Sequence, residues 1–340
     1  MTAHPGRSLL VLSVALLAIA GCGGDNGDSE AEAASSKRLF ISIGTAPVVG
    51  GFFTMGGALG EVLNANPGTH NWQVTAEATK GSQENIRRLV KGEIELALSN
   101  AAITYHAVRG DASWGHPYDV QAVMTLAPNI AQFITKSGSG IDRIEDLKGH
   151  RVAVGPAGAG FEQFVQPLLA AHGVTYDDFT PINATQGAAV DMLKDGAVAA
   201  AFLGGAVPHP AIVSASATLD IVFIPYEESA RTQLAADYEF FDAVNVAGGT
   251  YRSREEDFPG MNVGNMHLIT AADQDEELIY AITKTLYENS EAVIERAAAG
   301  RSINAKNVVR DTGTEFHPGA VRYYKEIGIW PQEEAAEPGP

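Results

Sequence analysis

The sequence predicts an α/β fold built as two lobes of similar construction. Short apolar runs of strand length alternate with amphipathic stretches of helix length between residues 37 and 330. The order strand, glycine loop, helix, glycine, strand occurs twice along the chain. The 340 residues, less the leader and tail described below, suit two domains or one domain with two lobes, and can bury a large core.

The chain opens with a basic residue, Arg7, and an apolar run from Leu9 to Ala20 that ends in Ile19-Ala20-Gly21-Cys22. A positive start, an apolar middle and small residues before a cut read as an export signal. The run is shorter than the ~20 apolar residues that span a bilayer. Because it ends in a cysteine it resembles a bacterial lipobox: residues 1–21 are then a lipoprotein signal peptide, and Cys22 is the lipidated first residue of the mature protein. Residues 22–36 are small, polar and acidic and read as a flexible tether; 331–340 read as a disordered tail.

Cys22 is the only cysteine, so the mature chain has no disulfide, no thiolate metal site and no catalytic thiol. The formal net charge of -18, from 23 Lys and Arg against 41 Asp and Glu, disfavours nucleic acid and anionic lipid surfaces. Beyond the leader no segment is long and apolar enough to cross a membrane, which leaves the lipid on Cys22 as the membrane attachment.

Strands are predicted at Leu39–Ile43, Trp72–Ala76, Ile94–Leu98, Val120–Leu126, Arg151–Val154, Val198–Leu203 and Ile221–Ile224. Helices are predicted at Gly56–Leu63, Asn85–Lys91, Phe161–His172 and Ala188–Lys194. The alternation argues for largely parallel sheets. The first copy of the repeat opens ISIGTAPVVGGFF (41–53) and continues with Thr79-x-Gly81, a helix, Gly92 and the strand IELAL. The second opens VAVGPAGAGFEQF (152–164) and continues with Thr185-x-Gly187, a helix, Gly196 and the strand VAAAF. Glycine loops that leave strands and start helices lie where open α/β sheets bind ligands. Helix N-termini there favour anions, and two facing lobes can close on a small molecule.

Motifs for other chemistries are lacking. There is no Gly-x4-Gly-Lys-Ser/Thr loop and no Gly-x-Ser-x-Gly elbow. Gly155-Pro-Ala-Gly158-Ala-Gly160 follows a strand, but its glycine order is not the dinucleotide fingerprint. The nine histidines form no zinc-ligand pair at helical spacing, so no metal and no cofactor are expected. The acidic runs Glu255-Glu256-Asp257 and Asp275-Glu276-Glu277 read as solvated faces. No nucleophile comes with a base, which argues against an enzyme; Glu162 is the weak candidate for a titratable group in a cleft.

The ordered set GTAPVVGGFFTMGGAL (44–59), TKGSQENIRRLVKGEIELAL (79–98), IEDLKGHRVAVGPAGAG (144–160) and DGAVAAAFLGGAVPHPAI (195–212) resembles the TAXI family, the extracytoplasmic solute receptors of TRAP (tripartite ATP-independent periplasmic) transporters. Gly249-Thr250-Tyr251 and the run 275–288 fit as well. The resemblance implies a two-lobed, type II-like periplasmic binding protein fold with a hinged cleft and no catalysis. It implies capture of a small organic acid or amino acid outside the cytoplasmic membrane and delivery to an ion-driven TRAP permease. The lobes expected are 37–127 plus 255–330, and 128–254, with hinges near Ala127 to Asn129 and Arg254 to Gly264. A receptor feeding an ATP-driven importer would share the fold, and a periplasmic enzyme on it is a further alternative.

The candidate ligand-binding residues are Thr45, Gly50, Phe52, Phe53, Ser82, Asn100, Asn129, Pro156, Gly158, Ala159, Gly160, Phe161, Gly204 and Gly205. A solute carboxylate would meet the N–H groups of the 156–161 loop, while Phe52, Phe53 and Phe161 wall its apolar end; the alternative is that Phe52 and Phe53 pack into the core. Against the usual family pattern, Phe52-Phe53 replaces two tyrosines and Asn100-Ala101-Ala102 replaces Gln-Ser-Asp. Leu126-Ala127-Pro128-Asn129 with Gln132 replaces Leu-Tyr-Pro-Glu with His, and Ala157-Gly158-Ala159-Gly160 replaces Pro-Gly-Ser-Gly. These changes mostly delete polar groups, which points to a less polar solute.

Overall fold

A computed structural model of the chain describes residues 38–331 apart from 49, 112 and 253. The expected signal, Cys22, the tether and most of the tail lie outside the described residues. The order is β1 (Leu39–Gly44), α1 (Gly51–Ala65), β2 (Trp72–Glu77), α2 (Ser82–Leu89), β3 (Leu96–Asn100), α3 (Ala101–Arg109) and β4 (Val120–Thr125). Then come β5 (Ile130–Lys136), β6 (Arg151–Ala153), α4 (Glu162–Ala170), β7 (Thr180–Ile182), α5 (Gln186–Lys194), β8 (Ala200–Gly205), α6 (Pro210–Thr218) and β9 (Ile221–Ile224). The chain ends with α7 (Glu228–Asp237), β10 (Phe241–Val246), β11 (Phe258–Val263), β12 (Met266–Ala271), α8 (Glu276–Glu288), α9 (Ser290–Arg296) and α10 (Pro318–Glu326).

Two sheets result. The first runs β2-β1-β3-β12-β4; the second runs β10-β11-β5-β8-β6-β7, with β9 also pairing β5. The repeat is visible in the pairing. β1 lies between parallel β2 and β3, and β6 lies between parallel β7 and β8. Gly92 and Gly196 end the equivalent helices α2 and α5 at left-handed φ of 66° and 74°, where a side chain would be strained. The sheets are mixed rather than largely parallel. β12 runs antiparallel to β3 and β4, and β5 runs antiparallel to β8, β9 and β11. Each lobe needs a strand that brings the chain back from the other lobe, and that strand runs against its neighbours.

Period-two burial sorts the side chains. Leu96 and Leu98 of β3 face a core with α1 and α8, while Ala97 between them faces α2 and α3. In β5, Ile130 and Ile134 face one core with α5 and α6, and Ala131 and Phe133 face the other with α4. That last core is continuous with the α2 and α3 side of the first sheet, joining Ile86, Ile103 and Trp114 to Phe164 and Leu168.

The chain passes between the sheets twice, at 126–129 and 263–266, and the two passages run side by side. Leu126 N donates to Met266 O at 2.8 Å, Met266 N to Ala127 O at 2.8 Å, and Val263 N to Asn129 O at 2.9 Å. Side chains brace them. Asn129 N donates to Asn262 Oδ1 (3.0 Å), Asn262 Nδ2 to Asn265 Oδ1 (2.7 Å), and Asn265 Nδ2 to Leu126 O (2.8 Å). The expected boundary at 254/255 would assign β11 to the first lobe, but its ladder with β10 and β5 places that strand in the second sheet. Gly264 has φ +105°, and a Cβ there would come 2.7 Å from Ala102 N and from Asn100 Oδ1. Gly264→Ala is therefore expected to cost about 2 kcal/mol or more in urea unfolding, through strain at positive φ and this contact.

Candidate functional site

β1, β3, β6 and β8 deliver their loops to the edges where the two sheets meet. In this conformation the edges touch. A Cβ on Gly81 would lie 3.6 Å from the Ala159 Cβ, and one on Gly160 would lie 2.9 Å from Gln83 Cγ and 3.0 Å from Ile103 Cδ1. Polar contacts span the same seam: Gln83 Nε2 donates to Glu162 Oε1 at 3.1 Å, and Trp114 Nε1 to Gln163 Oε1 at 2.8 Å.

Helix capping at this seam is uneven. Asn100 caps α3, Thr185 caps α5 and His209 caps α6 through their side chains. The N-termini of α1, α2 and α4, at Gly50, Gly81 and Phe161, have no side-chain cap. Among the described residues the amides of Ser82, Gln83, Gly160, Phe161 and Glu162 donate to no protein acceptor. Uncapped N-termini leave N–H donors and a partial positive charge aimed at the seam. Glu84 and Glu162, in the first turns, offset part of that charge. In the repeat, Thr185 accepts from Ala188 N, whereas Thr79 accepts from Gly81 N and donates to Thr45 O at 3.0 Å. That turn away from the helix leaves α2 open.

Eleven of the fourteen candidate residues divide into three groups, and Gly50, Phe52 and Phe53 lie apart at the start of α1. Ala159, Gly160 and Phe161 lie at the seam; Pro156 and Gly158 form the turn before them, closed by Ala159 N to Pro156 O with Gly158 at φ +74°. The Phe161 ring lies where a Cβ on Gly155 would overlap it, and it contacts Phe164 and Phe202 at centroid distances of 5.1 and 6.0 Å.

Thr45, Ser82 and Asn100 act as braces. Thr45 is fully buried; its hydroxyl donates to Glu77 O at 2.6 Å, and its carbonyl accepts from Asn85 Nδ2 at 2.7 Å. Ser82 Oγ accepts from Asn100 N at 3.0 Å. The Asn100 side chain accepts from Ala102 N (2.9 Å) and donates to Gly264 O (2.9 Å), which commits it to the second passage.

Asn129, Gly204 and Gly205 form a further group on the second sheet. Asn129 Oδ1 is buried without a partner, 3.1 Å from where a Gly204 Cβ would sit. Gly204 exchanges two hydrogen bonds with the Gln186 carboxamide (2.8 and 3.0 Å), and the His209 ring packs on Gly205. Phe52 packs on the core of the first sheet, and Phe53 is half-buried at the start of α1.

Reading the sequence missed Gln83, Trp114, Gln163, Gln186 and His209. A tryptophan in a loop and glutamines on amphipathic helices carry no local signal of contact across a seam. Gln132 Oε1 accepts from the Tyr251 hydroxyl at 3.2 Å, and that hydroxyl accepts from His209 N at 2.9 Å. Among the described residues no three His, Cys, Asp or Glu side chains come together as metal ligands, and no helix is long and apolar enough to cross a membrane.

Two histidines, His267 fully buried and His209 half-buried, give the fold an acid sensitivity. Burial pushes His209 down to about 4, opposed by the Gly204 carbonyl, and pushes His267 down to about 3. His209 Nδ1 accepts from Ala211 N, which places its proton on Nε2. Both rings are neutral when folded, while in the unfolded chain they take up protons below about 6.5. Stability is therefore full above that value and falls as pH drops toward the folded values, by up to ~1.4 kcal/mol per pH unit for each ring. The urea midpoint is expected to fall between pH 7.5 and 5, with a shallower fall in His267→Gln.

The model of the NMT1-like family matches residues 43–328. Among solved structures, XAC2383 from Xanthomonas citri bound to chloride ion matches at TM-score 0.50 and 10% identity, over 85% of this chain and 97% of that one. The periplasmic aliphatic sulphonate binding protein SsuA from Escherichia coli matches at TM-score 0.45 and 14% identity, over 87% and 80%. An ancestral arginine-binding protein bound to arginine matches at 0.47 and 17%, over 79% and 97%. The α/β architecture with two sheets is the fold shared with XAC2383.

Proposed function

The chain belongs to the NMT1-like family, and on that premise we propose that it is an extracytoplasmic solute receptor with no catalytic role. The observation that carries the reading is the pair of uncapped N-termini of α2 and α4 meeting where the two sheets face each other. Free amides at two opposed helix starts suit a small solute with an anionic group, an organic acid or an amino acid. Gly81 and Ala159 are in contact, so admission of such a solute requires the two lobes to part. The paired passages at 126–129 and 263–266 are where they would turn. A solute favours the closed form only through contacts it makes with both lobes at once.

The resemblance to the TAXI family extends the reading to delivery to an ion-driven TRAP permease, with the mature chain held at the membrane by lipid on Cys22. The same geometry would serve an ATP-driven importer; a neighbouring gene for a many-spanning permease without an ATPase separates the two.

Native mass spectrometry of the purified protein is expected to reveal a co-purified small acid or amino acid. X-ray scattering of the stripped protein is expected to show a larger radius of gyration that shrinks when that solute is restored. Identical profiles with and without saturating solute would count against a hinged receptor.

A further inference from the structure

The core beside the α4 N-terminus contains a donor without an acceptor. Gln163 is 5% exposed, and its Nε2 has no hydrogen-bond partner among the described residues. Carboxamide oxygen and nitrogen are easily exchanged in assignment, but here the orientation is fixed by chemistry. The indole Nε1 of Trp114 is a donor only, and it lies 2.8 Å from Gln163 Oε1. The opposite end of the carboxamide must therefore be the NH2 group, and it lies 3.2 Å from the position of a Cβ on Gly160. It thus points into the turn whose amides at Gly160, Phe161 and Glu162 are also unused. A buried donor left unpaired loses its water and gains nothing in return, so the Gln163 NH2 group, beside the unused amides of the turn, calls for an acceptor.

We propose that Gln163 is a specificity-determining residue that donates Nε2–H to the anionic oxygen of the solute, and that Trp114, from the facing lobe, aims it. This rests on the receptor reading above and adds to it the residue that distinguishes an acid from its neutral analogue. Trp114 and Gln163 sit on opposite sides of the seam, so their bond exists only when the lobes are together. Closure and recognition are coupled: the donor is oriented by the act of closing. Gln83, which bonds Glu162 across the same seam, ties the adjacent residue of the turn.

The test measures binding of succinate, benzoate and methanesulfonate, and of the neutral analogues succinamide, benzamide and methanesulfonamide, by calorimetry with the full mature chain. Gln163→Glu keeps an oxygen for the Trp114 indole and turns the free donor into an oxygen. It is expected to weaken the acids that bind the wild type at least tenfold and to shift preference toward the matching amide. Gln163→Met, which also takes the acceptor from the Trp114 indole, is expected to weaken both classes and the acids several-fold more than the amides. Trp114→Phe is expected to lower the urea midpoint through lost packing and to weaken acids more than amides; packing loss alone would weaken both equally. If an acid binds wild type and Gln163→Glu within twofold of each other, the NH2 group serves water and the proposal falls while the receptor reading stands. If no acid of the panel binds the wild type, the anion reading fails and this inference with it.

Discussion

The two chain passages between the sheets, hydrogen-bonded to each other along 126–129 and 263–266, are the constraint on which the rest of the arrangement depends. They lie at one end of both sheets, so the ends of β1 and β3 must face the ends of β6 and β8. A ladder between passages is stiff along the strands and soft about its own long axis, which leaves few motions open to the lobes. The asparagines fit this place because each carries a donor and an acceptor on a short stem. Asn100, Asn262 and Asn265 thereby satisfy backbone groups that have left one sheet and not yet joined the next. Outside the passages, Arg310 Nη1 reaches Asp242 Oδ2 at 2.8 Å, and Asp242 also accepts from Asn262. As a largely exposed pair it adds little stability.

The internal repeat explains the scaffold, and its broken symmetry explains the site. Both copies place a central strand between two parallel neighbours and end the second helix on a left-handed glycine. A threonine two residues before a glycine opens both second helices in sequence, yet the threonines do different work. Thr185 stays with its own helix as a cap, whereas Thr79 reaches Thr45 and knots β1 to the loop after β2. The first copy gains a rigid junction of Thr45, Thr79 and Asn85, and α2 is left with open amides. Structure taken from the helix cap is given to the junction beneath it.

Much of the scaffold was legible in the sequence. β1, β2, β4 and β6 fall within about a residue or two of the expected strands because their apolar runs are bounded by polar or glycine turns. β5, β7, β10, β11 and β12 were not read. β11 (FPGMNV) contains proline and glycine, and β12 (MHLITA) contains a histidine and a threonine in a strand buried on both faces. His267 illustrates the difficulty: a ring fully buried and bonded to Thr104 at 2.8 Å looks like any polar residue in sequence. The glycine turn at 155–160 was legible as a place where backbone is left free. Its partners were not, because Gln83, Trp114 and Gln163 become neighbours only through the passages. Asn100, expected among the ligand contacts, instead carries a cap and a clamp, two tasks a single sequence cannot distinguish from a third.

The energetics of closing divide between an apolar and a polar share. α3 sits against the second lobe: the Tyr105 ring meets Phe240 edge-on at 5.0 Å, and Ile103 and Trp114 belong to the same core as Phe164 and Leu168. Each 100 Å² of apolar surface kept from water contributes about 2.5 kcal/mol, so this side favours closure whether or not a solute is present. The polar side, with its open helix starts and unpaired carboxamide, is costly to close empty, because buried donors lose water and find nothing in return. On the proposed reading an anionic solute would remove that cost without adding to the apolar gain. Selectivity would then follow from the opposition of the two: apolar contact would set how readily the lobes meet, and only a molecule that supplies the missing acceptor would make their meeting worth more than their separation.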